Sequence, residues 1–437
     1  MKRRMSFLCI CVLLVISGCK KEDYGSEGFD RATDFQYQYA SDNGNISLNI
    51  QAMDEEGNLY FIKGNTLMKL DEKTGDCYPL CDKAGCLHDK ETDDTVKQNC
   101  NAYIDMNISS RSDVTENSSL FYYEGKIYVV YTNFWNDENN WHLSAISTDG
   151  HSRDDIYDWT SNSNYILLHR GWLYYSKTVI DEDGINHATL ERVNVENPNK
   201  VETVAKREDM PIVYEMAPIK AYGKYVYINA EYSDSIEEED DYLNHYFNKT
   251  YAYDIETEEL TEIKLQDMGQ TEVVDSIMIY DGKVLFTIGD LSQEESIDTM
   301  TDIYECSLDG SDVDTYMTDI PYYRNFYSDG EHLFISNSNE VMYALIFPEK
   351  VEGFDIDTTK VHTEVYDKNR ELIDTFVEEQ ELVDGESDIR IGIGDYRYQL
   401  ILDDDLMGFT LYQWDKTEIG NLKGAMWNPK VVFPSEG

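Results

Sequence analysis

From about residue 49 onward the chain alternates apolar and polar positions, and the alternation is interrupted at short intervals by turn residues. A period of two puts successive side chains on opposite faces, so each run predicts a β-strand with one face towards a core. The runs come in pairs: a Tyr-rich apolar stretch, a tight turn with Gly or Asp, then a second alternating stretch. Such pairs occupy 49–63, 119–131, 165–177, 218–232, 276–290 and 325–338, and a weaker seventh copy lies at 389–402. Their turn glycines are Gly57, Gly125, Gly171, Gly223, Gly282, Gly330 and Gly394, on average about 56 residues apart.

Most copies are followed by a second pair with its own polar turn, at 67–80, 250–263, 303–317, 363–376 and 409–422. Alternation broken by Asp-Gly, Glu-Gly or Lys-Thr-Gly is a hairpin pattern. Two hairpins per repeat predict a four-stranded antiparallel unit that cannot bury its faces alone. The chain is therefore expected to be all-β: a β-propeller with seven blades of four antiparallel strands and a Cys-rich insertion in the first blade. Residues 37–51 and 424–433 are the expected closing strands. A pair of β-sandwiches or an irregular β-solenoid is the competing architecture, and six or eight blades also fit the repeat.

Composition narrows the function. The 437 residues carry 36 Lys+Arg against 86 Asp+Glu, a formal net charge of −50, and 41% are hydrophobic, enough for a real core. That charge excludes nucleic acid as a partner and disfavours adsorption of the folded part to anionic lipid. The 34 Tyr, 26 Gly and 8 Pro suit strands and turns.

The first residues predict an export signal. Lys2, Arg3 and Arg4 precede an apolar run from Met5 to Gly18, shorter than the ~20 residues a spanning helix needs. The run ends Val15-Ile16-Ser17-Gly18-Cys19, followed by Lys20-Lys21-Glu22-Asp23. It resembles the bacterial lipobox, and the resemblance implies diacylglyceryl transfer to the Cys19 thiol with cleavage just before it. Residues 1–18 are then the signal peptide, 19–34 an acylated Cys and polar tether, and 35–437 the β-propeller domain. An ordinary secretory signal is the competing reading. Two acyl chains anchor stably where one is marginal. The expected location is the extracytoplasmic face of a bacterial cell membrane, with contact to the membrane through the lipid anchor only.

The most distinctive segment is the insertion at 77–103, with CYPLCDKAGCLHD (77–89) and then Cys100-Asn101-Ala102-Tyr103. The lipobox, the Cys-x4-Cys-x-His…Cys-Asn-Ala-Tyr block and the preceding LMKLDEKTG (67–75) resemble uncharacterised β-propeller-like lipoproteins of anaerobic Firmicutes. The resemblance implies fold and location and carries no activity. Cys77, Cys81, Cys86 and Cys100 are disulfide candidates, expected to form two bridges in an oxidising compartment. The alternative is a structural Zn site from Cys81, Cys86, His88 and Cys100, with Cys77 left over. Either way the block is expected to be a staple on the rim of the first blade rather than a catalytic centre. Cys306 is expected to be a free thiol.

Other chemistry is sparse. The acidic runs 237–241 and 403–405 lack the spacing of an EF-hand loop. His142, His151, His169, His187, His245, His332 and His362 are scattered singly, and no nucleophile elbow, Walker loop or His-Glu-x-x-His occurs. Trp135, Trp141, Trp159 and Trp172 have the chemistry to stack on sugars, although blade packing accounts for most such residues. The expected function is a non-catalytic propeller binding an extracellular ligand, a glycan or a surface protein. The alternative is a carbohydrate-active hydrolase or lyase with paired carboxylates in the central funnel.

Overall fold

The structure is a computed structural model that describes residues 51–106, 118–132, 140–161, 163, 165–235, 242–293, 296–329, 331–351, 353–379, 390–391, 395–402 and 409–433. Cys19 and the signal and tether segments lie outside the described residues, as do Trp135, Gly330, Gly394, the acidic runs 237–241 and 403–405, and 37–50 of the expected closing strand. Among the described residues no helix is long and apolar enough to cross a membrane.

The strands follow as antiparallel meanders. The first holds β1 (Gln51–Met53), β2 (Leu59–Lys63), β3 (Thr66–Leu70) and β4 (Cys77–Pro79). A one-turn helix, α1 (Asp94–Lys97), lies in the connection to β5 (Ser118–Tyr123), β6 (Lys126–Thr132), β7 (Asn140–Ser147) and β8 (Arg153–Thr160). Next are β9 (Ile166–His169), β10 (Trp172–Ile180), β11 (Asn186–Asn194) and β12 (Asn197–Ala205), then β13 (Ile212–Tyr222), β14 (Tyr225–Ser233), β15 (Tyr246–Asp254) and β16 (Leu260–Glu262). They are followed by β17 (Glu272–Tyr280), β18 (Lys283–Asp290), β19 (Met300–Cys306) and β20 (Asp314–Pro321). Strands β21 (Asn325–Ser328) and β22 (Leu333–Ser336) precede helix α2 (Ser338–Ile346), β23 (Lys360–Tyr366) and β24 (Leu372–Glu379). The chain ends with β25 (Arg390–Ile391), β26 (Tyr396–Leu402), β27 (Phe409–Asp415), β28 (Ala425–Met426) and β29 (Lys430–Phe433).

The all-β, propeller-like arrangement stands, but seven separate blades do not form. The strands assemble into six hydrogen-bonded sheets. Five stand apart as blades of four or five strands, and the sixth is a continuous eight-stranded sheet from β9 to β16. The fusion has a local cause. Strand β12 ends with Ala205 opposite Leu190, which leaves the first residues of β11 with an open edge. The long β13 takes that edge through a parallel pair, His187 with Val213.

Turn chemistry explains the hairpins. Glu124-Gly125, Arg170-Gly171 and Asp281-Gly282 have positive φ at both central positions, the twist-matched geometry of two-residue hairpin loops. Burial falls from the first strand of a meander to the last. Every residue of β1 and β9 is buried, whereas β8 and β12 are mostly exposed or half-buried. This gradient is what stacking around an axis produces.

Cores form between neighbouring meanders. One joins β5–β8 to the eight-stranded sheet through Trp141, Trp159, Leu173 and Val226. Another joins the first two sheets to the last, placing Phe61, Ile62 and Leu120 with Tyr398 and Leu411. Strand β1 contacts both β5 and β25, and the Lys63 ammonium lies 5.5 Å from the centre of the Phe433 ring. Of the expected closing strands, 424–433 does contribute, but to two sheets: β28 pairs in parallel with β24, and β29 pairs antiparallel with β27.

A buried ion pair ties the β21–β22 turn to the segment after β27. Asp329 accepts from the Lys416 ammonium at 2.8 Å and from the backbone N–H of His332 at 2.7 Å. Burial alone would push this carboxyl up, but His332 and Lys416 outweigh it and hold Asp329 down at about 2. A depressed carboxyl contributes stability that is present above its unfolded value near 4 and is lost as pH falls towards 2. Urea unfolding over this window is expected to show the wild-type chain losing about 2 kcal/mol more than Asp329→Asn. Equal losses in the two proteins would contradict that linkage.

Candidate metal centre

The Cys-rich insertion is an excursion in the outer edge strand of the first sheet. Strand β4 pairs Cys77–Pro79 with Met68–Leu70, and the Leu80 N–H then donates to the Leu67 carbonyl at 2.9 Å. There the chain leaves the sheet. It rejoins the same edge at Ala102, whose carbonyl accepts from the Leu67 N–H at 2.8 Å. Thr66 and Tyr103 form an antiparallel bridge, and the Ile104 N–H donates to the Asn65 carbonyl at 2.8 Å. Ala102 and Ile104 are fully buried, so the returning segment is part of the core. Cys81 and Cys100 therefore stand at the neck of the loop.

Four side chains converge at that neck. The Sγ atoms of Cys81, Cys86 and Cys100 and a ring nitrogen of His88 all lie within 4.8 Å of one another. The His88 Nδ1–Cys100 Sγ separation is 3.6 Å. A tetrahedral Zn²⁺ with bonds of ~2.3 Å to sulfur and ~2.0 Å to nitrogen would place its ligand atoms about 3.5–3.8 Å apart. The donor set fits, and it fills all four positions with protein side chains, as in a closed structural site. His88 reaches the cluster from a left-handed backbone, φ 54°, at the start of a 3₁₀ turn. That conformation is uncommon outside glycine and is tolerated at sites over-determined by their surroundings.

The thiols are electrostatically unequal. Burial raises Cys81, but the backbone N–H groups of Lys83 and Asn101 and the thiols of Cys100 and Cys86 outweigh it and hold Cys81 below the ordinary thiol value. Cys100 is pushed up to about 12, chiefly by burial, with its sulfur neighbours adding to the rise. Cys77 is pushed up to about 12 by burial and is not a member of the cluster. The expected pair of disulfides is not seen: among Cys77, Cys81, Cys86, Cys100 and Cys306 no two sulfurs are bonded. Register keeps Cys77 out of any two-bridge pairing of the four. Cys77 is held in the β4 ladder opposite Leu70, while the other three cysteines gather with His88 beyond Leu80.

The neck rests on the β7–β8 turn of the next sheet. Asn101 donates its side-chain N–H to the Gly150 carbonyl at 2.8 Å, and His151 Nδ1 lies 2.9 Å from an Asp82 carboxylate oxygen. Gly150 has φ +77°, and a Cβ there would sit 2.9 Å from the Cys81 nitrogen and 3.0 Å from its Cα. Backbone cannot yield as a flexible side chain can. Gly150→Ala is expected to cost about 1–3 kcal/mol and to weaken metal retention, read by thermal unfolding and by zinc content after dialysis. An unchanged variant would show that this docking does not support the neck.

The remaining sequence candidates do not converge. His142, His187 and His245 pair separately with Asp158, Asp181 and Asp234. His169 is buried, with Nε2 2.7 Å from the Gly223 carbonyl, and Trp172 lies under the Arg192 guanidinium. Two carboxyls on first strands, Glu215 and Asp275, are pushed up by burial. Each is satisfied in its own surroundings, Glu215 by Ser176, Ser163 and the Met216 N–H and Asp275 by the Tyr322 hydroxyl. A pocket beside Trp159 has no signature along the chain, because its walls come from four strands of two sheets.

No protein-family model matches the chain, and no curated protein matches it in sequence. Solved structures do resemble it. A prolyl endopeptidase, from a study of two such enzymes, aligns at 10% identity and TM-score 0.49 over 91% of this chain and 50% of its own. Prolyl oligopeptidase B from Galerina marginata aligns at 8% identity and TM-score 0.48 over 93% and 52%. An uncharacterized protein from Listeria monocytogenes EGD-e aligns at 8% identity and TM-score 0.41 over 73% and 84%. The chain spans about half the length of the two peptidases, and no activity carries over from them.

Proposed function

We propose that this chain is a lipid-anchored, non-catalytic binding module on the extracytoplasmic face of a bacterial membrane, with a structural zinc closing the edge strand of its first sheet. The observation that carries this reading is the Cys₃His cluster at the neck of the 81–100 excursion. The best-equipped chemical cluster among the described residues stands where it can staple an edge, and it leaves no ligand position for a substrate. Anchoring rests on the lipobox ending in Cys19. Membership among the β-propeller-like lipoproteins of anaerobic Firmicutes rests on the Cys/His block. The scaffold suits ligand binding because stacked sheets hold loops and inter-sheet clefts rigidly.

Mass spectrometry of the membrane fraction is expected to find a chain beginning at an acylated Cys19, and Cys19→Ala is expected to leave the membrane. An unmodified Cys19, or a Cys19→Ala protein still retained there, would overturn the anchor. Turnover of any glycan by the purified chain would overturn the non-catalytic reading.

A further inference from the structure

Where the second sheet packs on the eight-stranded one, a pocket of about 410 Å³ opens between β8 and the strands β10, β11 and β12. Its size falls within the ~300–1,000 Å³ typical of small-molecule sites. Tyr157 and Trp159 share one face of β8 because they are two residues apart. Their rings are nearly parallel, 11° apart with centres 5.7 Å from each other. Tyr175 closes the aromatic wall from β10, its ring centre 5.2 Å from that of Trp159.

The opposite wall is polar and is set by cross-strand register. Tyr175 faces Glu191, and Glu191 faces Thr203, which makes one row across three strands. The Tyr175 hydroxyl donates to one oxygen of the Glu191 carboxylate at 2.9 Å, and the Lys177 ammonium donates to the other at 3.4 Å. The Tyr157 hydroxyl lies 3.2 Å from that of Tyr175. Carboxylate and ammonium neutralise each other, so the pocket as a whole favours neither an anion nor a cation.

We infer that this pocket binds a sugar ring of a neutral glycan. A pyranose has an apolar C–H face to lie against the half-buried Tyr157 ring, which the buried Trp159 backs, and adjacent hydroxyls at its rim. Those hydroxyls donate to Glu191 and accept from Lys177, a pairing that matches a vicinal diol. A proline or aromatic peptide side chain would use the same ring wall but would desolvate the Glu191–Lys177 pair without replacing its water. Acidic glycans are disfavoured by the net charge of −50. The inference rests on the binding-module reading and gives it a ligand class and a place.

Isothermal titration of the full chain in detergent tests it, with cellohexaose, xylohexaose, mannohexaose, maltohexaose and chitohexaose as probes. At least one is expected to bind, with affinity reduced about tenfold or more by Tyr157→Ala and by Glu191→Gln. Both variants are expected to stay folded at the titration temperature with midpoints lowered by a few degrees at most (about 2–4 °C per kcal/mol), and Tyr157→Phe to keep most of the affinity because the ring face remains. Binding of none of the five, or binding that both variants leave unchanged, overturns the pocket; in the second case the binding-module reading survives. Binding abolished by the variants but accompanied by product release supports the pocket and overturns the non-catalytic reading.

Discussion

The purified chain is expected to carry one zinc, and Cys100→Ser is expected to lose it. All five described cysteines should titrate as thiols after denaturation in chelator, without prior reduction. The effect on stability is large because the metal binds only the folded neck: free zinc 1,000-fold above Kd contributes about 4 kcal/mol. Chelation should therefore lower the unfolding midpoint of the wild type and leave Cys100→Ser unmoved. The pH dependence has a definite sign. Three thiols must give up protons to bind metal, so affinity falls as pH is lowered, and faster than one proton would require. Metal analysis with thiol titration checks this directly. Absence of zinc, with thiols that appear only after reduction, would restore the disulfide alternative for Cys77, Cys81, Cys86 and Cys100. Retention of zinc by Cys100→Ser would remove Cys100 from the ligand set.

Glu378→Ala is expected to destabilise the fold by about 3–5 kcal/mol, since it leaves a buried guanidinium unpaired. Arg397 on β26 and Glu378 on β24 form an ion pair in which the Glu378 side chain is fully buried and that of Arg397 is 4% exposed. The guanidinium carbon lies 4.2 Å from the centre of the Trp414 ring and 4.6 Å from that of Trp427. It is thus enclosed by aromatic faces and by the one carboxylate, with the Tyr327 hydroxyl nearby. This cluster joins the β21–β24 sheet to the last sheet, and both tryptophans are almost fully buried. The double variant Glu378→Leu with Arg397→Met should recover much of the loss, because removing both charges also removes their desolvation cost. Chemical denaturation of the three proteins provides the comparison. A Glu378→Ala chain within 1 kcal/mol of wild type (a surface-pair value) would show that water reaches this seam.

The Asp329 and Arg397 clusters share a feature that the sequence conceals. Each ties the β21–β24 sheet to the last one, Asp329 with Lys416 and Glu378 with Arg397. In a chain with 86 acidic residues, nothing local marks Asp329 and Glu378 as carboxylates that end up buried against a cation. The same holds for the pocket beside Trp159. Tyr157 and Trp159 read as two aromatic residues on a polar strand, and only packing of β8 against β10–β12 sets them opposite Glu191 and Lys177.

Sequence alone determined what depends on neighbours along the chain. The period-two runs and their Gly turns located the inner hairpins, because a two-residue loop with positive φ is a local requirement that Glu124-Gly125 or Asp281-Gly282 meets by itself. The repeat implied an all-β, propeller-like fold, since a sheet apolar on both faces has to stack. The Cys-x4-Cys-x-His block marked the metal-ligand candidates by spacing. The hairpins β7–β8 and β11–β12 were missed because their outer strands are largely exposed and carry little apolar alternation. Helix α2 was missed because its nine residues interrupt a strand pattern and bury only Ser338, Val341 and Ala344. Tertiary structure decided the rest. Whether two meanders separate or fuse depends on where β12 stops and leaves the edge of β11 open. Whether Cys77 joins the other cysteines depends on the register of β4 against β3. Both are matters of which backbone edge meets which, and a strand's own residues do not encode the position of the edge it will find.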